Sequence, residues 1–181
     1  MKKLVLLAVS ILVLASCASM GSRPMAMATL APTSGSTVAG TVHLTEMKDG
    51  SVQVTADLTG VPAGVHGFHI HDKGDCGDNG NAAGGHYNPA GTAHGAPTAD
   101  PHHAGDFGNV TADATGRVHT QFTTRSVTVS SGPNSAVGHA VILHGNPDDL
   151  TTQPSGNAGP RIACGVLTLQ EGEMAGMPMD H

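Results

Sequence analysis

Apolar and polar residues alternate with a period of two along much of the chain. Val52, Val54, Ala56 and Leu58 occupy every second position of Gly50 to Leu58, which predicts a strand with that face buried. A preceding strand, Ser36 to Met47, is joined to it through Lys48-Asp49-Gly50, and Asp-Gly between two such runs is a strong hairpin signal. Further strands are expected at Val65 to His71, Phe107 to Ala112 and Arg117 to Thr124, the last two joined by an Asp113-Ala114-Thr115-Gly116 turn. Val137 to Leu143 is a continuous apolar run, the pattern of a strand buried on both faces, and Arg161 to Leu169 is the last. With Met25 to Ala31 as a possible first strand the count reaches about eight. No segment has the 3.6-residue period of an amphipathic helix. The pattern predicts an all-β fold, an antiparallel sandwich or flattened barrel. Two long stretches without periodicity, Asp72 to Asp106 and Gly145 to Pro160, are left as loops, and stretches of that length inside a compact domain point to function.

Composition adds a chemical bias. The 12 histidines outnumber the 8 lysines and arginines together, while the only aromatic rings are Phe68, Phe107, Phe122 and Tyr87. A histidine excess of this size favours transition-metal binding. At the N-terminus, Lys2 and Lys3 precede an apolar stretch, Leu4 to Leu14, too short to span a bilayer. Leu14-Ala15-Ser16-Cys17 then resembles a bacterial lipobox, in which Cys17 becomes the lipidated first residue of the mature protein. The expected organisation is a signal peptide over 1–17, a flexible tether over 18–35, a domain over 36–170 and a flexible Met/His-containing tail over 171–181. The expected location is the bacterial cell envelope, with the chain exported and held at a membrane by its lipid. Acylation of Cys17 leaves Cys76 and Cys164 as an even pair in an oxidising compartment. Loss of Lys2 and Lys3 changes the net charge from −6 to −8, and no basic cluster remains for nucleic acid.

Candidate chemistry starts at His66-Gly67-Phe68-His69-Ile70-His71. On a strand His69 and His71 project to one side, while Phe68 and Ile70 face the other. The first long loop adds His86, His94, His102, His103 and Asp106, and His144 ends the buried run. Imidazole suits copper and zinc, and a carboxylate beside three histidines suits zinc. His69, His71, His86, His94, His103, Asp106 and His144 are more donors than one ion takes, so two sites are implied. His66 has the opposite parity to His69 and His71 and is expected to be structural. His102 is read as a solvated loop residue, and His43, His119 and His139 as ordinary strand residues. Met174, Met177, Met179 and His181 form a group that could capture Cu(I) in an otherwise flexible polar tail.

Five blocks, in register, resemble the copper–zinc superoxide dismutase family, in the manner of its secreted bacterial lipoprotein members. They are Val65 to His71, Gly85 to Pro89 with His94-Gly95, His103 to Val110, Gly138 to His144 with Asp148-Asp149-Leu150, and Gly156 to Val166. The resemblance implies an eight-stranded Greek-key β-sandwich or flattened barrel that dismutates superoxide to dioxygen and hydrogen peroxide by alternate reduction and oxidation of copper. It implies copper ligands His69, His71, His86 and His144, and zinc ligands His86, His94, His103 and Asp106, with His86 bridging the two ions. Asp148 would accept hydrogen bonds from His71 and His94, and Cys76 and Cys164 would form the disulfide. Arg161 and His86 would be the catalytic residues, with Arg161 orienting superoxide. A possible homodimer is also implied. The loop between His144 and Arg161 is shorter than in animal members and lacks their charged steering residues around Thr151-Thr152-Gln153-Pro154. Local attraction near Arg161 and Lys73 must therefore outweigh the overall −8. An envelope copper-buffering protein on the same fold is the alternative function.

Overall fold

The computed structural model describes residues 23–170. The expected signal peptide over 1–17, Cys17 with it, and the tail 171–181 lie outside the described residues. Nine strands follow in sequence: β1 Met25–Pro32, β2 Ala39–Glu46, β3 Val52–Thr59, β4 Gly64–His71, β5 Asp106–Ala112, β6 Val118–Thr124, β7 Ala140–His144, β8 Arg161–Val166 and β9 Thr168–Gln170. One short 3-10 segment, Asp78–Ala83, lies in the first long loop.

The ladder runs β5-β4-β7-β8-β1-β2-β3-β6, with β9 also on β1, and every pairing among these strands is antiparallel. β5 and β6 approach each other across the remaining seam, so the sheet is a nearly closed barrel in Greek-key order. Closure leaves few free strand edges. The strand β1 makes it possible. Its first part pairs with β2, and Ala31 and Pro32 cross over to pair with Cys164 and Ala163 of β8.

The interior is filled from alternate positions. Val52, Val54, Ala56 and Leu58 of β3 are buried, as the period-two pattern predicts. Ala140–His144 is buried throughout, although the run starts three residues later than Val137. The three phenylalanines form one chain through the core, with ring centroids 6.0 Å apart for Phe68–Phe107 and 5.4 Å for Phe107–Phe122.

Two expectations are corrected. The possible first strand at Met25 to Ala31 is present as Met25–Pro32, so the tether expected over 18–35 does not extend through it. Its buried positions carry the small Ala26 and Ala28, while the larger Met25 and Met27 face outward, so the hydrophobic pattern is inverted there. The expected last strand is divided at Leu167 into β8 and β9, which belong to different parts of the barrel.

The first long loop is sewn onto β4. Ile70 N–H donates to the Gly105 carbonyl, Tyr87 N–H to that of Ile70, and Gly105 N–H to that of Tyr87. A disulfide joins Cys76 of the loop to Cys164 of β8, across 88 residues of sequence. The second loop folds on itself through Asn146 N–H to the Ala158 carbonyl and Asp149 N–H to that of Gly156. Both loops cover the outer face of β4 and β7, where His69, His71 and His144 stand.

Candidate metal centre

Strand alternation brings His69 and His71 to one face of β4, and antiparallel pairing puts β7, which ends in His144, beside it. The first loop lays His86 against His71 through an isolated bridge. His69, His71, His86 and His144 thus form one buried group, and His86, His94, His103 and Asp106 a second. Within each group the donor atoms lie within 4.8 Å of one another. All seven residues predicted from the sequence are brought together, and His86 belongs to both groups.

Backbone and carboxylate partners orient the imidazoles. His71 Nδ1–H donates to the Gly84 carbonyl at 2.9 Å, and His144 Nδ1–H to that of Gly159 at 3.2 Å. Asp148 accepts from His69 Nε2–H at 2.8 Å and from His94 Nε2–H at 3.0 Å. These bonds leave the opposite ring nitrogens bare and facing inward. His71 Nε2 and His144 Nε2 face each other at 3.2 Å, and His69 Nδ1 and His86 Nε2 are buried without any hydrogen-bond partner. Converging bare lone pairs repel unless a cation lies among them. In the second group the Nδ1 atoms of His86, His94 and His103 lie 2.7, 3.1 and 3.2 Å from Asp106 Oδ1. His94 Nδ1 lacks hydrogen-bond alignment to that oxygen despite the short distance, as expected when both groups point at a common ion. Copper and zinc therefore fit these donors: four imidazoles in one group, three imidazoles and a carboxylate in the other.

Electrostatics support the same reading. Burial, with repulsion from neighbouring imidazoles, pushes the pKa values of His69 and His71 well below the usual histidine value. Burial also lowers that of His144, to about 4, and that of His103. Neutral imidazoles are the form a metal ion requires. Burial alone would raise the Asp106 pKa. The hydrogen bond from His86 and the N–H groups of Gly95 and His103 outweigh it and hold the carboxylate well below its usual range.

The Asp148 bridge differs from expectation. It joins His94 to His69, whereas His71 is held by the Gly84 carbonyl. Among the described residues, the other histidines stay outside both groups. His66 is buried between the carbonyls of His144 and Pro62, and His102 lies between the Ala99 carbonyl and Ser126 Oγ. His139 stacks on Tyr87 at 4.0 Å, and His119 pairs with Asp57 on the surface.

Two amides escaped sequence reasoning. Asn109 binds the Asp148 backbone twice, donating to its carbonyl and accepting from its N–H. Gln153 does the same for His94, its Oε1 accepting the N–H and its Nε2 donating to the carbonyl. Loop amides carry no periodic signal, so only the fold reveals these clamps. Gly156 is similarly exacting: an added Cβ would lie 1.7 Å from Asp148 Oδ1, and its φ is +67°. Gly156→Ala is expected to displace Asp148 and weaken zinc binding by about 10–100-fold, the usual cost of losing such a supporting contact. Competition with a chromophoric zinc chelator measures this, and unchanged affinity would show that Asp148 is dispensable.

Arg161, at the start of β8, donates from its guanidinium to the carbonyls of Gly80 and Gly84. Burial lowers its pKa, yet a guanidinium stays charged near neutrality. With His71, His86 and His144 it lines an open cavity of about 620 Å³, through which a small anion can approach the first group.

Fold and donors together define a two-metal, imidazole-rich protein on a Greek-key barrel. Residues 38–167 match the copper/zinc superoxide dismutase family, and the chain belongs to that family. Its members are oxidoreductases that use copper and zinc and act on superoxide. The barrel is also similar to a crystal structure described as the clock protein EA4, with a TM-score of 0.74 and 36% sequence identity. That match covers 83% of this chain and 97% of the other.

Proposed function

We propose that the chain is an exported, lipid-anchored dismutase that removes superoxide from the bacterial cell envelope. In this reading copper is held by His69, His71, His86 and His144, and zinc by His86, His94, His103 and Asp106. The observation that carries the proposal is the position of His86. Its Nδ1 lies in the second group and its Nε2, without a hydrogen-bond partner, in the first. One imidazole can therefore serve both ions.

Copper held by the first group would supply one-electron redox chemistry, whereas zinc in the second has no redox chemistry of its own. The protein's residues do the rest. Arg161 attracts the anion and orients it in the cavity beside His71, His86 and His144. His86 Nε2 faces the same space and is the atom placed to hold a proton for the departing peroxide. Asp148 fixes His69 and His94 together, so the two groups keep their relative orientation.

Superoxide decay and metal content, measured on one sample of the mature protein, test the proposal. A copper and a zinc per chain with fast turnover are expected. Full copper loading without turnover would replace the enzyme with the copper-buffering alternative. Arg161→Gln should lower kcat/KM by about 10–100-fold, within the range of electrostatic steering, and should flatten its dependence on salt. An unchanged rate would remove Arg161 from substrate guidance. Cys17→Ser should release the protein from membranes and abolish incorporation of labelled fatty acid; continued attachment would disprove the lipid anchor.

A further inference from the structure

Arg161 is held at its backbone and at its guanidinium, and the turn between β1 and β2 reaches both supports. The pairing of β1 with β8 extends to Pro32, opposite Ala163, and proline has no N–H to carry the ladder on. The next residue resumes it, Thr33 N–H donating to the Ile162 carbonyl at 3.1 Å. The Thr33 side chain goes one residue further, its Oγ1 donating to the Arg161 carbonyl at 2.6 Å. Ser36 Oγ also donates to the Ile162 carbonyl. The backbone that bears the guanidinium is thus pinned where the β7–β8 register shifts, between Leu143 and His144.

At the other end the guanidinium rests on the Gly80 and Gly84 carbonyls. Gly80 lies directly against the arginine, because an added Cβ would meet Arg161 Cβ and Cδ at 3.4 Å. Asp78, Asn79 and Gly80 are consecutive left-handed residues, with φ of 49°, 53° and 82°. Two of the three carry side chains, so this conformation must be held in place by neighbours. Asn79 finds its neighbour in the same β1–β2 turn: its Oδ1 accepts the Ser34 N–H at 3.3 Å. Ser34 is itself left-handed, with φ of 52°. Successive residues of one turn, Thr33 and Ser34, therefore contact the arginine's own carbonyl and the segment that receives its guanidinium.

We infer that Thr33 and Asn79 are positioning residues for Arg161, which together keep its guanidinium in the orientation that guides the anion. The inference rests on the guidance role proposed above for Arg161. A guanidinium recognises an anion through a rigid planar fork, so a small rotation of the arginine changes what it presents to the cavity.

The test titrates enzyme loaded with zinc and Cu(II) with azide, a small monovalent anion whose binding at copper changes the visible spectrum. Arg161→Gln sets the scale by removing the guanidinium. Thr33→Val keeps the shape of the side chain and deletes its donor, and Asn79→Ala deletes the acceptor for Ser34. Each should weaken azide binding by about threefold to tenfold, lower kcat/KM for superoxide by a similar factor and flatten its salt dependence. Thr33→Ser keeps the hydroxyl and should restore the parent values. Thr37→Val is the control. It removes a hydrogen bond that the same turn makes to the Gly60 carbonyl rather than to β8, and should change none of these readings. Calorimetry fixes a temperature at which every variant is folded. Parent azide affinity in either Thr33→Val or Asn79→Ala, or an equal loss in Thr37→Val, would overturn the inference while leaving Arg161 its role. Parent azide affinity in Arg161→Gln would instead remove the guidance role, and the inference with it.

Discussion

His86→Ala lowers superoxide dismutation by about 10²–10⁴-fold, the range over which a positioned proton-transfer group acts. The side chain is the sole member common to both donor groups. Its neighbours are oriented by bonds that do not involve it: His71 by the Gly84 carbonyl, His144 by that of Gly159, and His69 and His94 by Asp148. Three imidazoles of the first group therefore stay in place, and copper should be retained. The second group keeps His94, His103 and Asp106, so zinc binding weakens without disappearing. What goes is the proton-holding nitrogen in the cavity. His94→Ala is the control, because it takes a donor from the second group alone and leaves His86 Nε2 in position. Stopped-flow superoxide decay with metal analysis on each variant separates the two. If His86→Ala, with copper retained, kept a rate within about tenfold of the parent, the proton role would be wrong. Equal losses in both variants would place the effect in the zinc group instead.

Much of this architecture is legible in the sequence because the information is periodic. The inward residues of β3, the Asp49-Gly50 turn and the apolar run ending in His144 follow from alternation and turn chemistry. So does the shared direction of His69 and His71. Alternation fails where the inward residues are small. Ala26 and Ala28 bury almost no surface to mark them, while Met25 and Met27 place the apolar bulk outside. The Asp148 partner was unreadable for another reason. Parity says that His69 and His71 face the same side, but which imidazole meets a carboxylate 79 residues away depends on how the second loop closes and on the register shift between Gly67 and His69. Gln153 and Asn109 belong to the same class of omission. Each clamps a backbone segment distant in sequence, and neither lies in a repeating pattern.

Replacing Cys76 and Cys164 together with serine should lower Tm by about 10–15 °C. The bond closes a loop of 88 residues, and the chain-entropy argument assigns such a loop about 4–5 kcal/mol. For a domain of this size each kcal/mol corresponds to about 2–4 °C. The consequences reach the site. The disulfide ties the segment from Asp72 to Gly85 to β8, three residues beyond Arg161. That segment supplies the Gly80 and Gly84 carbonyls that hold the guanidinium, and the Gly84 carbonyl also orients His71. Backbone bonds from Asp72 to Gly85 and from Lys73 to Ala83 close the base of the segment, but they do not attach its outer turn to the barrel. Loss of the disulfide should therefore lower kcat/KM and flatten its salt dependence at temperatures where the variant remains folded. Calorimetry gives the first effect, and superoxide decay measured well below the new Tm gives the second. A lower Tm with unchanged rate and salt dependence would mean that the two carbonyls and the guanidinium hold one another in place, leaving the disulfide to act on stability alone.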